Sequence, residues 1–97
     1  MKPKQTEPPR ILVVVDGEQI RASLQRLLDS YGVQIAAAAS VREAHYLINM
    51  ESYDVLLSDW RMTEVGGGLT VVSALHNKNP DALTLVLHRV RGIETYN

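Results

Sequence analysis

The chain lacks cysteine, a charge bias and a long apolar run. Without cysteine, its 97 residues can form no disulfide and offer no thiolate, and zinc would have only histidine and carboxylate ligands. A net charge of −1 gives no general attraction to nucleic acid or to anionic membranes. No apolar stretch approaches the roughly 20 residues of a membrane span, and the N-terminal MKPKQTEPPR lacks the apolar core of a secretion signal. These absences predict a soluble cytoplasmic protein that binds neither nucleic acid nor membrane.

Length and composition predict one domain. Apolar residues make up 45% of the chain and charged residues 22%, which is ordinary for a globular protein of this length. The proline-rich start predicts a flexible lead-in over residues 1–9, with the domain over residues 10–97.

Apolar segments of two kinds alternate along the domain. Runs without polar alternation are typical of strands buried on both faces, and they occur at Arg10–Val15, Val33–Ala38, Tyr53–Ser58 and Leu83–Leu87. Three segments with apolar residues at helical spacing separate these runs, and Ser40 with Glu43 has the spacing of a helix-starting capping box. The order βαβαβαβ predicts an α/β fold with right-handed crossovers and a parallel sheet that carries helices on both faces.

Two aspartates stand at the ends of predicted strands. Asp16 follows the first strand and Asp59 ends the third. If the strand order is 2-1-3-4, both lie at the carboxyl edge where the order reverses, which is where open α/β sheets bind ligands. Neighbouring carboxylates repel unless a cation joins them, and Mg²⁺ accepts one or two carboxylates while keeping several waters. The pattern favours a magnesium site, but Asp59 could simply mark a strand exit, and Asp16 with Gln19 has the spacing of a helix cap.

Four longer stretches resemble the receiver domain of two-component response regulators. They are ILVVVDGEQIRASLQRLLDSYG, ASVREA, YDVLLSDWRMTEVGG and NPDALTLVL. The resemblance implies a flavodoxin-like open parallel sheet of order 2-1-3-4, with the fifth strand and last helices missing because the chain stops at Asn97. It also implies that Asp59 accepts a phosphoryl group, and that Asp16, Asp59 and the backbone carbonyl of Arg61 bind Mg²⁺. The implied donor is a phosphohistidine on a sensor histidine kinase or a phosphotransfer protein.

The sequence departs from that family at the site itself. Val15 stands where the first of two adjacent acids is usual, and Thr63 stands in the loop position where proline is usual. His88 occupies the switch position, where the family has a threonine or serine that bonds the phosphoryl group, and the chain ends before the usual clamping lysine. Losing one preorganised donor costs roughly 3–4 kcal/mol in a transition state. We therefore expect phosphotransfer to be slow or lost.

Two functions remain open on the sequence. The first is a degenerate receiver that takes a phosphoryl group in a phosphorelay. The alternative is a phosphorylation-independent pseudo-receiver that binds another protein by shape. Neither is an enzyme that acts on a downstream target. Because the fourth strand would be an open edge, we also expect a homodimer that pairs through LTLVLHRVR.

Overall fold

A computed structural model of the chain describes residues 8–59 and 67–87. Within them, four strands and three helices alternate in the order β1 (Arg10–Val14), α1 (Glu18–Asp29), β2 (Gln34–Ala38), α2 (Val41–Met50), β3 (Val55–Asp59), α3 (Gly68–Lys78) and β4 (Leu83–Leu87). Every strand pair is parallel, and the strand order is β2-β1-β3-β4. The predicted α/β fold and the order 2-1-3-4 are confirmed. The expectation of a missing fifth strand concerns the chain after Leu87, outside the described residues.

Helices cover both faces of the sheet. Leu12 and Val14 of β1 are buried on the face that carries α2 and α3, in a core completed by Ala38, Ala44, Ile48, Tyr53, Leu56, Val71, Leu75 and Ala82. Val13 and Val15 are also fully buried, and alternation along a strand turns them to the opposite face. There α1 lies against β1 and β2. Burial on both faces explains why β1 reads as a continuous apolar run. Strand β4 has the same kind of sequence but is not buried on both faces, since its leucines Leu83 and Leu85 are exposed.

The capping box predicted before α2 is present in a shifted form. The Ser40 hydroxyl accepts a hydrogen bond from the Glu43 backbone N–H at 3.1 Å. The Glu43 carboxylate reaches back to the N–H of Ala39, one residue before the cap, at 2.9 Å. Two backbone donors that a helix start would leave unpaired are thus satisfied.

The cap of α1 differs from the prediction, although the helix begins at Glu18 as its apolar spacing predicts. Its N-cap is Gly17, which makes no side-chain capping bond. The expectation that Asp16 caps this helix with Gln19 is therefore wrong, because the helix begins one residue later than that cap requires. The helix ends at Asp29, and Gly32, three residues further on, has a φ of +77°, a backbone conformation that glycine adopts readily.

Side chains from the end of α3 brace the amino-terminal edge of the sheet. Lys78 Nζ donates to the carbonyls of Ile48 at 2.6 Å and Asn49 at 3.2 Å, near the end of α2. Asn79 Nδ2 donates to the carbonyl of Tyr53 at 2.8 Å. Tyr53 was predicted to start the third strand, but β3 begins two residues later, at Val55. Tyr53 is buried in the segment that precedes the strand. In the part of the chain that the structure describes, no helix has the length and apolar character to cross a membrane.

Candidate functional site

The two aspartates singled out in the sequence lie at the same edge of the sheet. Strands β1 and β3 are adjacent and parallel, with Val14 of β1 opposite Ser58 of β3. Asp59 is the last residue of β3, and Asp16 lies two residues beyond the end of β1. Both therefore stand at the carboxyl ends of neighbouring strands, where the strand order reverses, which is the place where open α/β sheets bind ligands.

The two carboxylates differ in their surroundings. Asp59 is buried, with 9% of its surface exposed, whereas Asp16 is exposed. Within residues 8–59 and 67–87, the Asp16 side chain makes no hydrogen bond and no ion pair. A buried carboxylate is costly unless a cation or hydrogen-bond donors compensate its charge. The edge thus combines one buried and one solvent-facing carboxylate, a donor set that suits a hard cation.

The two carboxylates are ligands of the kind that Mg²⁺ accepts. Among the described residues, no three histidine, cysteine, aspartate or glutamate side chains come together in a cluster able to hold a metal ion. Mg²⁺ does not need such a cage, because it is commonly held by one or two carboxylates and completes its octahedron with water and substrate oxygens. Asp16 and Asp59 would be its protein carboxylates.

The loop between β1 and α1, which carries Asp16, is fixed by hydrogen bonds on both sides. Val15 donates its N–H to the Ala38 carbonyl at 3.1 Å, so the ladder to β2 continues one residue past β1. Arg21, in the first turn of α1, donates from Nη1 to the Val15 carbonyl at 2.7 Å. Sequence reasoning missed Arg21, since a basic residue in a first helical turn carries no signal that its side chain turns back toward the preceding strand.

A second set of bonds holds Gly67, the N-cap residue that precedes α3. Gly67 has a φ of +82°, which favours glycine at this position. Thr70 donates its hydroxyl to the Gly67 carbonyl at 2.7 Å, and His45 Nε2 lies 2.8 Å from the same hydroxyl oxygen. Because the Thr70 proton is committed to Gly67, His45 Nε2 must be the donor in the second bond. Helix α2 is thereby linked to the start of α3.

Two of the predicted site positions lie outside the described residues. They are Arg61, whose backbone carbonyl was assigned to Mg²⁺, and His88, assigned to the switch position. Their roles stay predictions of the sequence.

The family assignment follows from comparison with known proteins. The family model of the response regulator receiver domain matches residues 11–94. The chain belongs to this family. The assignment confirms the predicted resemblance, and it makes the protein a receiver domain of two-component signal transduction.

Relatives of this receiver domain include longer proteins. Transcriptional regulatory protein ZraR of Escherichia coli strain K12 is 32% identical over 85 residues, which are 88% of this chain and 19% of ZraR. A Burkholderia pseudomallei response regulator, crystallised with a phosphorylated aspartic acid, a calcium ion and citrate, matches with a TM-score of 0.71 and 29% identity. That match covers 82% of this chain and 46% of the Burkholderia chain. The receiver domain therefore spans less than half the length of both proteins.

A third relative is a receiver domain solved as a dimer. The beryllofluoride-activated NtrC4 receiver domain dimer, determined in solution, matches with a TM-score of 0.65 and 29% identity. The match covers 79% of this chain and 63% of the NtrC4 chain.

Proposed function

We propose that this receiver domain accepts a phosphoryl group at Asp59, and that Asp59 and Asp16 would hold Mg²⁺. The observation that carries the proposal is the position of Asp59, a buried carboxylate at the end of β3, beside the strand that leads to Asp16. The phosphorylated aspartic acid and calcium ion in the Burkholderia response regulator support this assignment by analogy.

The chemistry is a transfer between a phosphohistidine and a carboxylate. An Asp59 carboxylate oxygen donates an electron pair to phosphorus and forms a P–O bond. The P–N bond to the donor imidazole breaks, and its electron pair returns to the ring nitrogen, which then takes up a proton. When bound, Mg²⁺ supplies positive charge that offsets repulsion between the carboxylates and the anionic phosphoryl oxygens. Asp16 contributes a second carboxylate to the cation, and burial of Asp59 limits competing water.

We expect the proposed phosphoryl transfer to Asp59 to be slow. Val15, the residue directly after β1, is apolar and buried, so there is no second acid next to Asp16 in the sequence. With one carboxylate fewer to hold the cation, less of the charge on the transferring phosphoryl group is offset in the transition state, so transfer slows. The phosphodonor partner would be a sensor histidine kinase or a phosphotransfer protein in the cytoplasm, and the domain would be a signalling module that does not itself act as an enzyme.

A small phosphodonor tests the acceptor directly. The full chain is incubated with acetyl phosphate and Mg²⁺, and intact mass is measured. We expect a gain of one phosphoryl mass that Asp59→Asn abolishes. Asp54→Asn is the matched control, because Asp54 lies just before β3 at the other edge of the sheet, and the amide oxygen can still accept the bond from the Arg10 N–H. No gain of mass by the parent chain would favour the phosphorylation-independent pseudo-receiver.

We also propose that the receiver domain forms a homodimer through the edge of β4. Among the described residues, β4 pairs with β3 alone. Leu83 donates its N–H to the Asp54 carbonyl of the β3 side, so alternation turns the amides of Thr84 and Val86 outward. Natural edge strands usually carry charges or proline that discourage pairing, and LTLVL carries neither. Antiparallel pairing of two β4 edges would close a two-fold dimer.

The exposed apolar side chains of β4 also support a dimer through this strand, and a charge introduced on β4 tests the proposal. Leu83 is 62% exposed, Leu85 53% and Val86 43%. We expect light scattering to give the mass of a dimer for the parent chain and of a monomer for Leu85→Glu. Leu69→Glu is the control, because Leu69 is 64% exposed but lies on α3. A monodisperse monomer for the parent chain would exclude this dimer.

A further inference from the structure

We propose that Arg21 is a positioning residue for Asp16, and that it holds the backbone of this carboxylate ready for Mg²⁺. The inference rests on the proposed function, in which Asp16 is a magnesium ligand. It concerns a side chain that the phosphotransfer step does not touch.

Arg21 makes two bonds to the loop between β1 and α1, one on each side of Asp16. Its Nη1 donates to the carbonyl of Val15 at 2.7 Å, in a partly buried position. Its backbone N–H donates to the carbonyl of Gly17 at 2.9 Å. The first bond involves a charged donor and belongs to the stronger class of hydrogen bonds. The second bond is the first main-chain bond of the helix and does not depend on the side chain. The Arg21 side chain therefore fixes the residue before Asp16, while the Asp16 carboxylate remains exposed to solvent.

The loop has little else to hold it on the α1 side. Gly17 is the N-cap of α1, and no side chain caps this helix start. Glycine also has the greatest backbone freedom to lose when a loop is ordered. Within the described parts of the chain, the Arg21 guanidinium is thus the one side chain that bonds the backbone of a residue adjacent to Asp16, namely the carbonyl of Val15. Losing it should let the loop sample other conformations.

Partners that orient a metal ligand are worth about 10- to 100-fold in metal affinity. Arg21 acts on the backbone next to the ligand and not on the carboxylate itself, so we expect the lower end, about tenfold. The sign of the effect separates positioning from simple electrostatics. Removing a positive charge near a cation site should by itself strengthen Mg²⁺ binding. Weaker binding after loss of the Arg21 charge would therefore report lost positioning.

The test is a titration of the full chain with Mg²⁺ alone, followed by calorimetry or by fluorescence of Trp60, the single tryptophan, which is next to Asp59 in sequence. Arg21→Met removes the charge and the donors but keeps a long side chain and a good helix former. Arg21→Lys keeps a charged donor. Arg26→Met, in the last turn of α1, removes the same charge from the same helix and serves as the control.

We expect about tenfold weaker Mg²⁺ binding for Arg21→Met, partial recovery for Arg21→Lys, and parent-like binding for Arg26→Met. Without metal, amide hydrogen exchange at Asp16 and Gly17 should be faster in Arg21→Met than in Arg26→Met. Equal or tighter Mg²⁺ binding by Arg21→Met overturns the inference, as does unchanged exchange in this loop. If the parent chain binds no Mg²⁺ at all, the proposed magnesium site fails, and the exchange data alone decide whether Arg21 orders the loop.

Discussion

The hydroxyl of Thr84 offers a sharp test of the packing between β4 and the helices. Within the described residues, its Oγ1 is buried and has no hydrogen-bond partner. Thr84 lies opposite Leu56 in the β3–β4 ladder, so its side chain shares the face of the sheet that holds the main core. A buried hydroxyl without a partner costs about 1–3 kcal/mol. Thr84→Val removes that cost and places a methyl group in the same volume.

We expect Thr84→Val to stabilise the fold by about 1–2 kcal/mol. A gain of 1 kcal/mol should raise the melting temperature by roughly 4–8 °C in a domain of this size. Urea unfolding followed by circular dichroism measures the free energy, with an unchanged m-value to show that the same surface unfolds. The valine suits a strand as well as threonine does, so strand propensity does not account for a gain.

Thr70→Val is the matched control for Thr84→Val. The same atoms change, but the Thr70 hydroxyl bonds both the Gly67 carbonyl and His45 Nε2. We expect a loss of about 1 kcal/mol, because two exposed hydrogen bonds disappear. Opposite signs for the two variants would support the reasoning. A neutral or destabilising Thr84→Val would refute it, because the hydroxyl would then have a partner or the site would reject the methyl group.

Three further predictions concern stability. Ser40→Ala should lower the free energy of unfolding by about 1 kcal/mol, because it removes the cap of α2, and a lower urea midpoint would show it. Lys78→Met should lower the free energy of unfolding by about 1 kcal/mol, because the bonds to the last carbonyls of α2 are lost. Urea unfolding measures this difference, and added salt should reduce it only slightly. Burial, then the Glu51 carboxylate, raises the pKa of Tyr53. The protonated Tyr53 therefore contributes to the free energy of unfolding below about pH 10, and this contribution is lost as pH rises through the raised pKa. In Tyr53→Phe, the free energy of unfolding should fall less steeply above about pH 10.

Local patterns in the sequence were sufficient to predict the elements of the fold. Apolar runs marked the strands within two residues, and helical spacing marked the three helices, since both periodicities reflect which side chains face the core. The capping box at Ser40 was also readable, because its bonds join residues within one helical turn. The family resemblance added the strand order 2-1-3-4, and with it the expectation that Asp16 and Asp59 share one edge of the sheet.

Long-range packing decided what the local patterns did not contain. The bond from Lys78 to α2 joins residues 30 positions apart, and that from His45 to Thr70 spans 25. Arg21 turns back to Val15, and the Thr84 hydroxyl oxygen is buried with no hydrogen-bond partner among the described residues, although threonine suits either surface or core. The sequence by itself determined which segments become strands and helices, because short-range sterics and burial periodicity act along the chain. Only the tertiary structure decided which polar groups meet, because those contacts depend on how the finished elements pack together.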